Sequence, residues 1–173
     1  MIKKEIKKKE IKKTSETKAV EMQKEKITGK PMFYQAVGRR REATARVRLY
    51  VVAGDEISVK GKNLKAGDMV VNGRMINDYF PGIVHKTFYT LPFKLTNTVG
   101  RFTVSAIVAG GGLSGQRDAL VHGIARSLLK IDKDTNRSIL RKAGLLTRDP
   151  RTRERRKAGL AQGARAKKQS PKR

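Results

Sequence analysis

The sequence predicts one domain that mixes β-strands with α-helices, flanked by basic extensions at both ends. Three observations lead there. The middle of the chain changes from period-two runs to a helical stripe. Both ends are crowded with cations and poor in large apolar side chains. The length, 173 residues, suits one ordinary core plus extensions.

Residues 1–32, opening MIKKEIKKKEIKK, are lysine-rich and low in complexity. They are expected to be largely disordered, although Ile2 with Ile6 and Glu5 with Lys9 allow a transient helix. Order is expected from Phe33, over a globular region 33–147. In FYQAVGRRREATARVRLYVV, Ala45, Val47, Leu49 and Val51 point one way and Thr44, Arg46, Arg48 and Tyr50 the other, as in a half-buried strand. Gly54-Asp55 reads as a turn, EISVKG as a short strand, Gly67-Asp68 as another turn, and MVVNGRM as a strand ending at Asn72-Gly73.

MINDYFP has room for one or two helical turns before Pro81-Gly82, and IVHKTFYTLP leans to a helix that Pro92 ends. From Phe93 to Ala109, two β-rich runs joined around Asn97 to Gly100 read as an antiparallel pair. GGGLSGQRDALVHGIARSLLKID then turns helical. Leu120, Ile124, Leu128 and Ile131 stack on one face, Ser114 suits the N-cap, and His122, Arg126 and Lys130 form a polar stripe away from the core. NRSILRKAG reads as a second helix closed by Gly144. In the C-terminal segment, 148–173, Asp149, Pro150 and Gly159 repeat the helical punctuation, but the residues between them have almost nothing to bury.

Charge narrows the function. Lysine and arginine number 41 against 15 acids, a formal net charge of +26, which is far past the surplus that serves solubility and implies a polyanionic partner. Residues 1–30 carry a net +6, residues 31–147 +11 and residues 148–173 +9, so the density peaks at the C-terminus. No apolar run of about eighteen residues and no apolar signal core follows Met1, so no membrane partner and a cytosolic location are expected. The absence of cysteine excludes a disulfide framework and any thiolate metal site.

The glycines at 110–112 before a helix invite a nucleotide-binding reading, but GGGLSGQRD lacks the Lys-Ser/Thr of a P-loop and the G-x-G-x-x-G pattern with its acidic partner. They read as a tight strand-to-helix turn whose bare backbone can also approach a phosphate. His85 and His122 stand without a second ligand or catalytic partner, so they read as core or surface histidines, and neither a catalytic centre nor a cofactor is expected. Arg39, Arg40 and Arg41, together with Arg148, Arg151, Arg153, Arg155 and Arg156, concentrate guanidinium groups, whose planar forks bind phosphate bidentately and stack on bases, and Lys157 adds an ammonium.

GGGLSGQRDALVHGIARSLL, with GRRREATARV, VNGRMINDYFP, RKAGLLTRD and the basic ending Lys172-Arg173, closely resembles the bacterial form of the small-subunit ribosomal protein nine family over roughly residues 34–173. The resemblance implies an α+β fold: a two-layer mixed sheet of about four strands with helices on one face. It also implies a left-handed crossover, which pattern reading would not give because right-handed crossovers are the default. It further implies a non-enzymatic protein of the subunit head, bound to ribosomal RNA beside neighbouring ribosomal proteins. By motif, the RNA contacts fall on Arg39, Arg40, Arg41, Gly110, Gly111, Gly112, Gln116, the basic block from Arg148 to Lys157, and Arg165, Lys167 and Lys168 of the tail. Lys172 and Arg173 fall on the pair that reaches the anticodon stem of peptidyl-site tRNA.

Three features depart from the family pattern. The lysine-rich start lies outside it, residues about 55–66 look like extra sequence, and Pro171 separates Ser170 from the terminal pair. Thirteen residues from Ala161, fully extended, would span roughly 43 to 47 Å, enough to reach a neighbouring site. The rival reading is a sequence-neutral, DNA-compacting basic protein, which would bind duplex DNA as tightly as structured RNA at equal salt.

Overall fold

A computed structural model describes residues 32–51, 56–59, 61–161 and 163–166. The lysine-rich start, the turn at Gly54-Asp55 and the cations Lys167, Lys168, Lys172 and Arg173 lie outside the described residues. The fold is α+β, built around a mixed sheet. Its strands are β1 (Phe33–Arg40), β2 (Ala43–Val51), β5 (Met69–Val71), β6 (Arg74–Met75) and β7 (Phe102–Ala109), in the order β1-β2-β7-β5-β6. All neighbours are antiparallel except β5 and β7. The helices are α1 (Ile76–Tyr79), α2 (Ile83–Leu95), α3 (Leu113–Ile131) and α4 (Lys133–Lys142).

The stretch read as one strand from Phe33 is a hairpin. Arg41, at φ 52°, turns the chain so that Arg40 pairs with Ala43. A long alternating run cannot distinguish one strand from two, because both have period two, and no Gly or Pro marks this turn. Ala45, Val47 and Leu49 are buried as the alternation requires, whereas Val51 is exposed and Tyr50 is buried on the opposite face. Tyr50 is drawn there by a second small core with Val59, Leu64 and Val70. Val59 and Leu64 come from β3 (Glu56–Val59) and β4 (Lys62–Lys65), a hairpin paired only with itself. The apparent extra sequence therefore carries its own apolar anchor to the back of the sheet.

Asn72 and Gly73 both take positive φ, 49° and 80°, which fits the tight turn between β5 and β6. Pro92 does not end α2, and the antiparallel pair expected from Phe93 to Ala109 does not form. The helix continues to Leu95 because Pro92 and Phe93 are buried with Tyr89 on the core, and Asn97, at φ 52°, reverses the chain beyond it. That burial outweighs the hydrogen bond a mid-helix proline removes. Only Phe102–Ala109 is left as strand, in the centre of the sheet.

Leu120, Ile124 and Leu128 of α3 are fully buried, and Ile131 packs against the same core. Ser114 does not cap the helix; Gly112 occupies the N-cap position without a side-chain bond. α3 lies across β1 and β2 at very close range. A Cβ on Gly38 would overlap the Ala119 carbonyl oxygen and the Gly123 nitrogen, and one on Gly123 would come within 2.6 Å of Val47 Cγ2. This approach brings the polar stripe of α3 onto the open edge of β1. Lys130 Nζ donates to the Gln35 carbonyl at 2.7 Å, Arg126 donates to the Val37 carbonyl, and the Arg39 N–H donates to His122 Nδ1 at 3.4 Å. Three of the edge strand's outward backbone groups are thereby occupied.

Two glycine substitutions separate packing from backbone freedom. Gly38→Ala is expected to destabilise the fold by about 3 kcal/mol, the upper end of ordinary overpacking, because backbone rather than a mobile side chain blocks the new methyl. Gly112→Ala, in open space, is expected to stay within about 1 kcal/mol of the parent. Urea midpoints check both, and equal midpoints for the two variants would refute the packing argument.

Candidate nucleic-acid interface

At one end of the sheet the β1–β2 turn rests on the glycine turn that opens α3. Gly110 and Gly111 take φ of 75° and 61°, and a Cβ on Gly110 would lie 2.5 Å from the Glu42 carbonyl oxygen. These two glycines are required by packing, whereas Gly112 faces open space. Between the turns lies a cleft of about 530 Å³ that also borders the C-terminal segment, with Arg41, Gly111, Gly112, Ser114 and Arg153 among its walls. Residues 70 or more positions apart in sequence thus share one basic cleft.

Arg40 also lines this cleft, with only 13% of its side chain exposed. Its guanidinium pairs with Asp149 at 3.1 Å and with Asp118 at 3.8 Å, and donates to the Arg151 carbonyl at 2.7 Å. Of the three adjacent arginines, Arg39 and Arg41 are exposed while Arg40 fastens the C-terminal segment to the sheet. Asp149 also accepts from the Arg151 backbone at 3.0 Å and from its guanidinium at 2.8 to 3.1 Å. Those Arg151 bonds, with Arg40 adding its charge, hold the Asp149 carboxyl far below the usual carboxylate range.

Gln116 is similarly committed within the fold. Its amide donates to the Gly110 carbonyl at 3.0 Å and its carbonyl accepts from the Tyr79 hydroxyl at 2.8 Å. Asn72 extends the same network, bonding both the N–H and the carbonyl of Val108 at 2.9 Å. In this arrangement Gln116 braces the glycine turn from behind.

The helical punctuation around Pro150 is not realised. Arg148 to Lys157 has no regular secondary structure and is almost wholly exposed, as expected for six like charges without an apolar face. Asp149 instead forms a local turn with Arg151. Beyond it the chain doubles back, with the Lys157 N–H bonded to the Gly163 carbonyl at 3.0 Å and Arg165 Nε to Glu154 at 2.9 Å. Arg165 holds the Glu154 carboxyl below its ordinary value.

Some contributors were not legible as site residues. Arg117 lies 4.1 Å over the Phe88 ring and donates to Asp118 at 2.7 Å. His122 and Arg126 border a cavity with Arg39 and Arg148. Burial lowers the His122 pKa from the ordinary imidazole value and the Arg126 cation lowers it further. The i, i+4, i+8 spacing marked their stripe, but only the register against β1 shows which arginines share it.

A family model described as Ribosomal protein S9/S16 matches residues 38–173. The chain is 50% identical over 131 residues to the small ribosomal subunit protein uS9 of Leifsonia xyli, covering 76% of this chain and 70% of the relative. It is 48% identical over 131 residues to uS9 of Renibacterium salmoninarum, covering 76% and 71% respectively. With uS9 of Paenarthrobacter aurescens the identity is 46% over 135 residues, covering 78% and 73%. The match takes in the arginine corner, the glycine turn and the basic segment beyond them, and on this extent of agreement the chain belongs to the ribosomal protein S9/S16 family.

Proposed function

We propose that the chain is a structural constituent of the small ribosomal subunit that binds ribosomal RNA through the cleft at the β1–β2 turn. The observation that carries this reading is the convergence of Arg41, the glycine turn and Arg153 on one cleft, in a chain of net charge +26 and of a ribosomal family. Exposed arginines supply bidentate donors to phosphate, and the bare backbone at Gly112 admits a close approach. Arg39, Arg148, Arg155, Arg156 and Lys157 extend the same surface. Arg40, Gly110, Gly111 and Gln116 serve it by positioning: they fix the corner and the segment that carry the exposed cations.

The tail is read as an extension that gains order from surrounding RNA, with Arg165, Lys167 and Lys168 on ribosomal RNA and Lys172 and Arg173 reaching the anticodon stem of peptidyl-site tRNA. Its composition supports this reading, since it combines length and positive charge with almost no apolar residues to bury.

Two outcomes are expected. If about eight phosphates are neutralised, the affinity for ribosomal RNA falls with salt at a log-log slope of about 6 to 7, and exceeds that for duplex DNA at the same salt. A filter-binding series across salt measures this, and a flat response or equal DNA affinity would overturn the reading. Deleting Lys172 and Arg173 is expected to leave subunit assembly intact and to weaken peptidyl-site tRNA binding, and unchanged tRNA affinity of the reconstituted subunits would refute the role of the pair.

A further inference from the structure

Away from the cleft, a cavity of about 640 Å³ opens where β1, α3 and the segment after α4 meet, lined by Val37, Arg39, His122, Arg126, Leu146 and Arg148. Three guanidinium groups from three parts of the chain face one partly buried imidazole, and the lining contains no carboxylate. Arg126 gives one N–H to the Val37 carbonyl, which leaves most of its five donors unspent. Neither Arg39 nor Arg148 forms an ion pair with a described carboxylate. All three arginines are exposed, so solvent screens their mutual repulsion in the free protein, and an entering anion meets donors that are still unspent.

The imidazole is set to respond to such an anion. His122 Nδ1 accepts from the Arg39 N–H, an outward donor of the edge strand. A proton on Nδ1 would set two donors 3.4 Å apart against each other, so the ring would turn from the Arg39 N–H and donate to an anionic oxygen instead. The remaining charges near the ring are Arg40 from β1, Arg117 and Asp118 from α3, and Asp149 from the segment after α4, which line an adjoining cavity with it. The two carboxylates there are already engaged, Asp118 with Arg117 at 2.7 Å and Asp149 with Arg40 at 3.1 Å.

We propose that this cavity seats one phosphate of an RNA backbone, held by Arg39, Arg126 and Arg148, and that His122 takes up a proton as the phosphate enters and donates from Nδ1 to a phosphate oxygen. The inference rests on the RNA-binding reading above and adds to it two residues, His122 and Arg126, together with a dependence on pH. The sign follows from linkage. A neighbouring anion favours the imidazolium, so the bound-state pKa lies above that of the free protein, and affinity rises as pH falls through the bound-state value. Each unit of that rise corresponds to about tenfold in affinity.

The chain has two histidines, His85 and His122, so the ring protons of the full-length protein can be followed by NMR, with His85→Gln for assignment. Small-subunit ribosomal RNA is expected to raise the His122 pKa by about one unit and to bind about three- to tenfold more tightly at pH 6 than at pH 8. His122→Gln is expected to bind with little dependence on pH. The titration of the parent protein decides the matter even if that variant fails to fold. Sulfate, whose charge is constant over this range, distinguishes the anion source. A pKa raised by both RNA and sulfate supports a tetrahedral-anion seat used by RNA, and one raised by RNA alone supports a seat completed by the RNA backbone. One raised by sulfate alone overturns the assignment to RNA. RNA binding with an unmoved His122 overturns this inference and leaves the wider reading standing, whereas absence of RNA binding overturns both.

Discussion

The rest of the fold depends on the near-contact of Gly38 in β1 with Gly123 in α3. Helix and strand backbones meet there with no side chain between them. The contact sets the depth at which Leu120, Ile124 and Leu128 enter the core. It also sets the phase of α3 about its own axis, because only one rotation puts Gly123 against the sheet. From that phase it follows that His122, Arg126 and Lys130 meet alternate outward groups of the edge strand. The same helix that fills the core therefore caps part of the sheet's open edge with hydrogen bonds, and two of those side chains, His122 and Arg126, also line the cationic cavity.

A second constraint is electrostatic. A chain with this excess of cations has few carboxylates to hold it together, and the fold brings two of them to one arginine. Asp118 and Asp149 converge on Arg40, which removes one arginine from the surface and ties the C-terminal segment to the sheet. The segment has no apolar face with which to dock, so this pairing and the local Asp149–Arg151 turn stand in for a core. Arg39, Arg41, Arg148 and Arg153 remain exposed beside the hub. Self-repulsion among them is the cost of presenting them together.

Much of this was legible in the sequence, and the failures have specific causes. The α3 stripe was readable because four large apolar residues repeat at helical spacing over a long element. The mixed class and the two turns at Asn72-Gly73 and Gly144 were readable from residue types that tolerate positive φ. Arg41, at φ 52°, carries no such signal, so the β1–β2 hairpin read as one strand. The end of α2 was misread because Pro92 is a local breaker overridden by burial in the core, a tertiary effect absent from any window. At the candidate site, the arginines were identifiable as cations but their division of labour was not. Whether an arginine faces solvent or a pair of carboxylates depends on residues more than 70 positions away.

The β3–β4 hairpin packs on the sheet without entering the main core. Val59 and Leu64 bury themselves against Tyr50 and Val70, which project from the back of the sheet, while the residues beside them, Leu49 and Val71, belong to the main core on the other side. The two cores share strands but no side chains. Loss of the hairpin would uncover Tyr50 and Val70 and leave the α3 packing untouched, so the segment and those two positions form one heritable unit. A relative that lacks the segment is expected to carry polar or smaller residues where this chain has Tyr50 and Val70.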